Sequence, residues 1–186
     1  EAKKFDLIKT GDNYTIKKKV YGAVNKLIPR LSRLLDLKMY KHISLLMSGG
    51  KGLGKTTTMN MVCNLLLGHK IPVIEVKYLD VSIELIEFLS GFRNVVIYID
   101  EFGKYFTHSY QDKILTLLNR QDHFFRIFII GENDLYKINS FILDRMERTR
   151  YHVHLSRIPD EDLKEYCIDE NISPDIMKSL LNINKT

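Results

Sequence analysis

Only two cysteines, Cys63 and Cys167, occur in the 186 residues, and they make no disulfide framework. Cys63 is expected as a small core residue in a reducing compartment. No apolar run reaches the roughly 20 residues that cross a bilayer, so no membrane span is expected. No signal peptide is read, and a chain opening at Glu1 rather than Met is expected to be a fragment or a processed form. The expected setting is cytoplasmic, the host cytoplasm if the protein is viral. Internal repeats and low-complexity linkers are absent. The charge excess is small: 28 Lys and Arg against 23 Asp and Glu, net +5 at pH 7. That fits contact with nucleic acid or an acidic partner without specifying either. Hydrophobic residues make up 45% of the chain, which suits one globular domain with a sizeable core.

The most informative stretch is Gly49-Gly50-Lys51-Gly52-Leu53-Gly54-Lys55-Thr56, which reads G-x-x-x-x-G-K-T. An apolar run, Ile43–Met47, precedes it, and a helical pattern from Thr57 to Leu67 follows. That strand–loop–helix context is what a phosphate-binding loop requires. Its glycines let the backbone wrap an anion, and its N–H groups and the helix N-terminus face that anion. Lys55 is expected to reach the β- and γ-phosphates, and the Thr56 hydroxyl to ligate Mg²⁺. Gly49, Gly50, Lys51, Gly52, Leu53, Gly54, Lys55, Thr56 and Thr57 are the expected nucleotide-binding residues.

Around this loop, strands alternate with helices. Strands are read at Ile43–Met47, Val73–Val76, Val95–Ile99 and Ile127–Ile130, with an edge strand through Tyr151, Val153 and Leu155. Helices are read at Thr57–Leu67, Ser82–Leu89 (capped by Asp80 or Ser82), Tyr110–Asn119 and Ile138–Met146. The alternation predicts an α/β fold, a parallel sheet covered on both faces. Residues 1–42 are polar and basic, with a helical pattern through Val20, Val24, Leu27, Ile28, Leu31 and Leu34 that Pro29 is expected to end or kink. The Lys17-Lys18-Lys19 run reads as a solvated helix face. Beyond the last strand, Asp160–Cys167 and Pro174–Leu181 read as two helices with no strand between them, the second started by Ser173-Pro174. The expected organisation is an N-terminal helical or linker segment over 1–42, a nucleotide-binding core over 43–158 and part of a helical lid over 159–186.

The strand Val95–Ile99 runs into Asp100-Glu101. Ligands of open parallel sheets sit at the carboxyl ends of the strands, so both carboxylates are expected beside the phosphates. Asp100 is placed to hold the Mg²⁺ shell and Glu101 to polarise an attacking water.

Together with Ile129-Ile130-Gly131-Glu132-Asn133, these motifs resemble the AAA+ ATPases. The resemblance covers about residues 40–182 and rests on the motifs jointly. It implies a P-loop NTPase with a five-stranded parallel sheet in the order 5-1-4-3-2, ATP and Mg²⁺ as substrate and cofactor, and a homo-oligomer, ring or helical, with a hexamer as one form. It implies that Asn133 orients the attacking water as sensor 1. It also implies an arginine finger just before the fifth strand, for which Arg148 is favoured and then Arg145. The compact layout looks more like the mitochondrial AAA ATPase that exports the folded Rieske protein, and like related phage and bacterial proteins, than like unfoldases carrying an aromatic pore loop. Tyr78-Leu79 and Phe102-Gly103-Lys104-Tyr105-Phe106 stand where pore loops would lie, with ordinary packing the favoured reading of each. No sensor 2 arginine is assigned, and residues 1–42 carry no recognisable domain, so the substrate is left open.

The expected function is an ATP-hydrolysing module of an oligomeric motor that remodels or translocates a macromolecule. The alternatives are a DNA-handling ATPase of the replication loader or initiator type, and a nucleotide-gated scaffold with little hydrolysis. The first alternative lacks a helix-turn-helix and predicts DNA binding with a steep salt dependence. His152 and His154 would share a strand face, but with no third ligand they make no metal site.

Overall fold

A computed structural model describes residues 21–38, 44–77, 82–119 and 125–184. Among the described residues, strands β1 (Ser44–Ser48), β2 (Val73–Glu75), β3 (Val95–Ile99), β4 (Arg126–Glu132) and β5 (Arg150–His154) form one sheet in the order β2-β3-β4-β1-β5. Every pairing is parallel. This is the 5-1-4-3-2 order expected of a P-loop NTPase, with β5 on an edge. Helices α1 (Ala23–Asp36), α2 (Lys55–Gly68), α3 (Ile83–Ser90), α4 (Phe102–Tyr105), α5 (His108–Asn119) and α6 (Ser140–Thr149) accompany the sheet. A 3-10 turn, Leu135–Lys137, precedes α6. Helices α7 (Asp160–Asp169) and α8 (Pro174–Asn184) follow it and pack on each other.

The continuous apolar runs of β1, β3 and β4 follow from burial on both faces. Leu46, Ile97, Ile99, Phe128 and Ile130 face one side, in a core with Leu85, Phe102, Ile114 and Ile142 from α3 to α6. Leu45, Met47, Val96, Tyr98, Ile127 and Ile129 face the other, in a core with α1 and α2. Cys63 lies in this second core, fully buried, and burial pushes its thiol up to about 12.

Several expectations are corrected or decided in detail. Pro29 does not end its helix: α1 runs through it to Asp36. The buried stripe is Val24, Leu27, Leu31 and Leu35, with Ile28 and Leu34 partly buried against the same core, while Val20 lies outside the described residues. Asn25, whose carbonyl loses its partner at Pro29, is exposed, so water can take the place of the missing N–H. Ser82 caps α3 by accepting from the Leu85 N–H, while Asp80 lies outside the described residues. Phe102 and Phe106 follow the favoured reading, ordinary packing, and not that of a pore loop. Both are fully buried and stack with ring centroids 4.9 Å apart. Tyr78-Leu79 and Lys17-Lys18-Lys19 lie outside the described residues.

Candidate nucleotide-binding site

The site starts where β1 ends. At Gly49 the chain takes φ 143, and an added Cβ would stand 2.3 Å from the Leu155 carbonyl oxygen, so only glycine fits against the end of β5. Just before it, buried Ser48 bridges His152 Nε2 (2.8 Å) and His154 Nδ1 (2.9 Å), which share a face as their spacing predicts. The loop closes at Gly54, whose left-handed backbone (φ 86) caps α2. The N-terminus of α2 thus points into the cleft that the loop encloses.

Lys55 is 7% exposed, and its ammonium donates to the carbonyl oxygens of Gly49 (2.6 Å) and Gly50 (2.7 Å). Among the described residues no carboxylate pairs with it. A buried ammonium held only by neutral carbonyls at a helix N-terminus fits an anionic ligand. The Thr56 hydroxyl donates to Asp100 Oδ2 at 2.7 Å, which brings together two oxygens suited to a hard cation and fits Mg²⁺. The other Asp100 oxygen accepts the Glu101 N–H at 2.9 Å.

Glu101 takes left-handed backbone angles (φ 49, ψ 48) at the start of α4. A non-glycine residue there costs on the order of 1–3 kcal/mol, a kind of strain that gathers at functional sites. Its Oε2 accepts from Lys104 Nζ at 2.8 Å. That hydrogen bond holds the Glu101 carboxyl below its usual range, against a smaller opposing effect of burial. The same contact raises Lys104.

These residues converge. Lys51, Gly52, Gly54, Lys55, Thr56, Thr57, Asp100, Glu101 and Asn133 line one cleft of about 360 Å³. Gly49 and Gly50 sit behind it and serve through their carbonyls, and Leu53 turns instead toward a neighbouring cavity. Arg145 and Arg148 lie on α6, and their side chains are outside the described residues.

Sequence reasoning missed three features. The neighbouring cavity, about 500 Å³, shares Gly54 and Thr57 with the cleft and is lined by Tyr21, Leu53, Met61, Ile158, Leu163 and Tyr166. It joins the start of α1 to α7. There the Gly22 N–H donates to Asp162 (2.8 Å), the Tyr21 hydroxyl donates to Asp169 (2.6 Å), and the Tyr21 and Tyr166 rings meet edge to face. No local motif signals a pocket built from segments 140 residues apart. The second feature is Lys104 on Glu101, legible in principle as an i, i+3 pair once α4 is known. The third is the burial of Glu132 (2% exposed), a residue flanked by the recognised motif but assigned no part in it.

A parallel sheet in this order, with a phosphate loop between β1 and α2 and paired carboxylates closing β3, defines a P-loop NTPase. The sequence profile of the ATPase family associated with various cellular activities (AAA) matches residues 45–153, more than half of the chain, and the chain belongs to that family. Among solved structures it is similar to the RuvB Holliday junction branch migration motor of Thermotoga maritima, at 19% identity and TM-score 0.58, over 78% of this chain and 49% of that one. It is similar to a DNA replication initiation factor at 16% identity and TM-score 0.58, covering 89% and 58% of the two chains. C. elegans PCH-2 shares the fold at 13% identity and TM-score 0.53, over 78% and 47%. The chain thus spans about half the length of these structures, and the likeness is one of fold. No curated protein matches the chain. Among the described residues no helix is long and apolar enough to cross a membrane.

Proposed function

We propose that this chain is an ATP-hydrolysing AAA+ module of an oligomeric motor, ring or helical, that remodels or translocates a macromolecule. The observation that carries the reading is the convergence of Lys55, Thr56, Asp100, Glu101 and Asn133 on one cleft. In this reading residues 1–42 form an N-terminal segment, 43–158 the catalytic core and 159–186 part of a lid. The triphosphate lies along the loop, and the nucleoside takes the adjoining cavity that Tyr21, Leu53 and Tyr166 help to line. Lys55 offsets phosphate charge. Thr56 and Asp100 hold Mg²⁺, which when bound supplies further neutralisation of that charge. Asn133 orients a water, and Glu101 takes its proton as its oxygen attacks the γ-phosphorus. The bond to the β-phosphate oxygen breaks, and ADP and phosphate leave. Arg148, or else Arg145, reaches the γ-phosphate of a neighbouring subunit. The narrower likeness to the Rieske-exporting ATPase rests on the sequence features alone.

The test is steady-state ATP hydrolysis against protein concentration, wild type beside Glu101→Gln. Loss of the base is expected to lower kcat by about 10²–10⁴-fold while ATP still binds. Specific activity is expected to rise with concentration as subunits assemble. A flat, background rate in the wild type with intact ATP binding would replace the motor with a nucleotide-gated scaffold.

A further inference from the structure

We infer that Glu132 is a positioning residue for hydrolysis, joining the backbone that carries Glu101 to the backbone that carries Asn133. The inference rests on the hydrolytic reading above. Glu132 closes β4 and is almost fully buried. Its Oε2 accepts the N–H of Gly103, two residues after Glu101, at 2.5 Å. Its Oε1 accepts the N–H of Asn133 at 2.7 Å and of Asp134 at 3.2 Å. One side chain therefore receives three backbone donors from two separate segments, each carrying one of the groups assigned to the attacking water.

The packing around this joint leaves no slack. A Cβ at Gly103 would fall 2.7 Å from Glu132 Oε2 and 2.4 Å from Lys137 Cβ. A Cβ at Gly131 would fall 2.6 Å from Asp100 Oδ1 and 2.5 Å from Met59 Cε. The ends of β3 and β4 thus meet through two glycines and one carboxyl group. None of these three residues lines the phosphate cleft, so they act on the water through Glu101 and Asn133. Nucleotide binding depends instead on Lys55 and the loop, on the far side of Asp100. An error in this joint is therefore expected to appear in kcat and not in affinity, because misplacing a base by an ångström costs rate without removing ground-state contacts.

The experiment compares wild type, Glu132→Gln and Gly103→Ala in hydrolysis rate, ATP affinity and melting temperature. Glutamine keeps the shape and one acceptor oxygen but turns an NH₂ toward one of the backbone donors. Gly103→Ala presses on the same joint from the other side. Both are expected to lower kcat tenfold or more, with ATP affinity within about threefold of wild type, as loss of a transition-state interaction alone requires. A folded Glu132→Gln protein that hydrolyses ATP at the wild-type rate would overturn the inference and leave the hydrolytic reading standing. So would rate and affinity falling together in both variants. A wild type that binds ATP and never hydrolyses it would end both.

Discussion

At the scale of single residues, the contact that bears on the proposed base is Lys104 on Glu101. It has two opposed effects. It lowers the affinity of the carboxyl group for protons, which keeps the proposed base ionised to lower pH. It also occupies one oxygen of that base at 2.8 Å. The first effect has a definite sign: a base works only when deprotonated, so a depressed pKa extends activity toward acid. Lys104→Met is therefore expected to move the acid limb of the pH–rate profile upward, toward the ordinary carboxylate range. A profile unmoved in that variant would show that the contact does not persist in the working enzyme. Because both side chains are largely solvated, the pair contributes little to stability.

At the scale of elements, α1 is the one whose role changes most between sequence and structure. Its basic and polar content set residues 1–42 apart, yet Leu27, Leu31 and Leu35 complete the core on the α2 face of the sheet. The helix survives Pro29 because its buried stripe continues on both sides of the ring, while the broken hydrogen bond falls on the wet side. Leu31→Ala is expected to cost about 2–5 kcal/mol, the range for truncating a well-packed leucine. Urea unfolding at unchanged m-value would read this out. A cost near zero would mean that α1 is a detachable appendage. The docking matters for the site because α1 begins at the nucleoside-sized cavity, where Gly22 and Tyr21 are held to α7.

At the scale of the whole molecule, the open question is whether active sites are shared. Arg148 and Arg145 stand on α6 directly before β5, remote in sequence from the loop that would receive them in another copy. Arg148→Ala is expected to lower kcat by about 10³–10⁵-fold without weakening ATP binding. Mixing Arg148→Ala subunits with Glu101→Gln subunits is expected to restore activity, because some interfaces then pair an intact base with an intact arginine. Full hydrolysis in both Arg148→Ala and Arg145→Ala would dismiss the shared site.

Much of this was legible along the chain, because its signals are local. The phosphate loop is eight consecutive residues between a strand and a helix, and the run of β3 into Asp100-Glu101 is equally compact. Unbroken apolar stretches announced strands buried on both sides, and the resemblance these motifs carried supplied the sheet order. Tertiary structure alone decided what depends on distant segments meeting. Phe102 and Phe106 could be read in sequence as packing or as a working surface, and only the fold decides that they fill the core, since burial is a property of the neighbours that close over a side chain. Tyr21 and Tyr166 have no motif in common and share a cavity only because α1 and α7 converge. Glu132 is one more acid beside Asn133 until β4 is set against α4, where one oxygen takes the local N–H groups of Asn133 and Asp134 and the other takes that of Gly103, which nothing in the residue order relates to it.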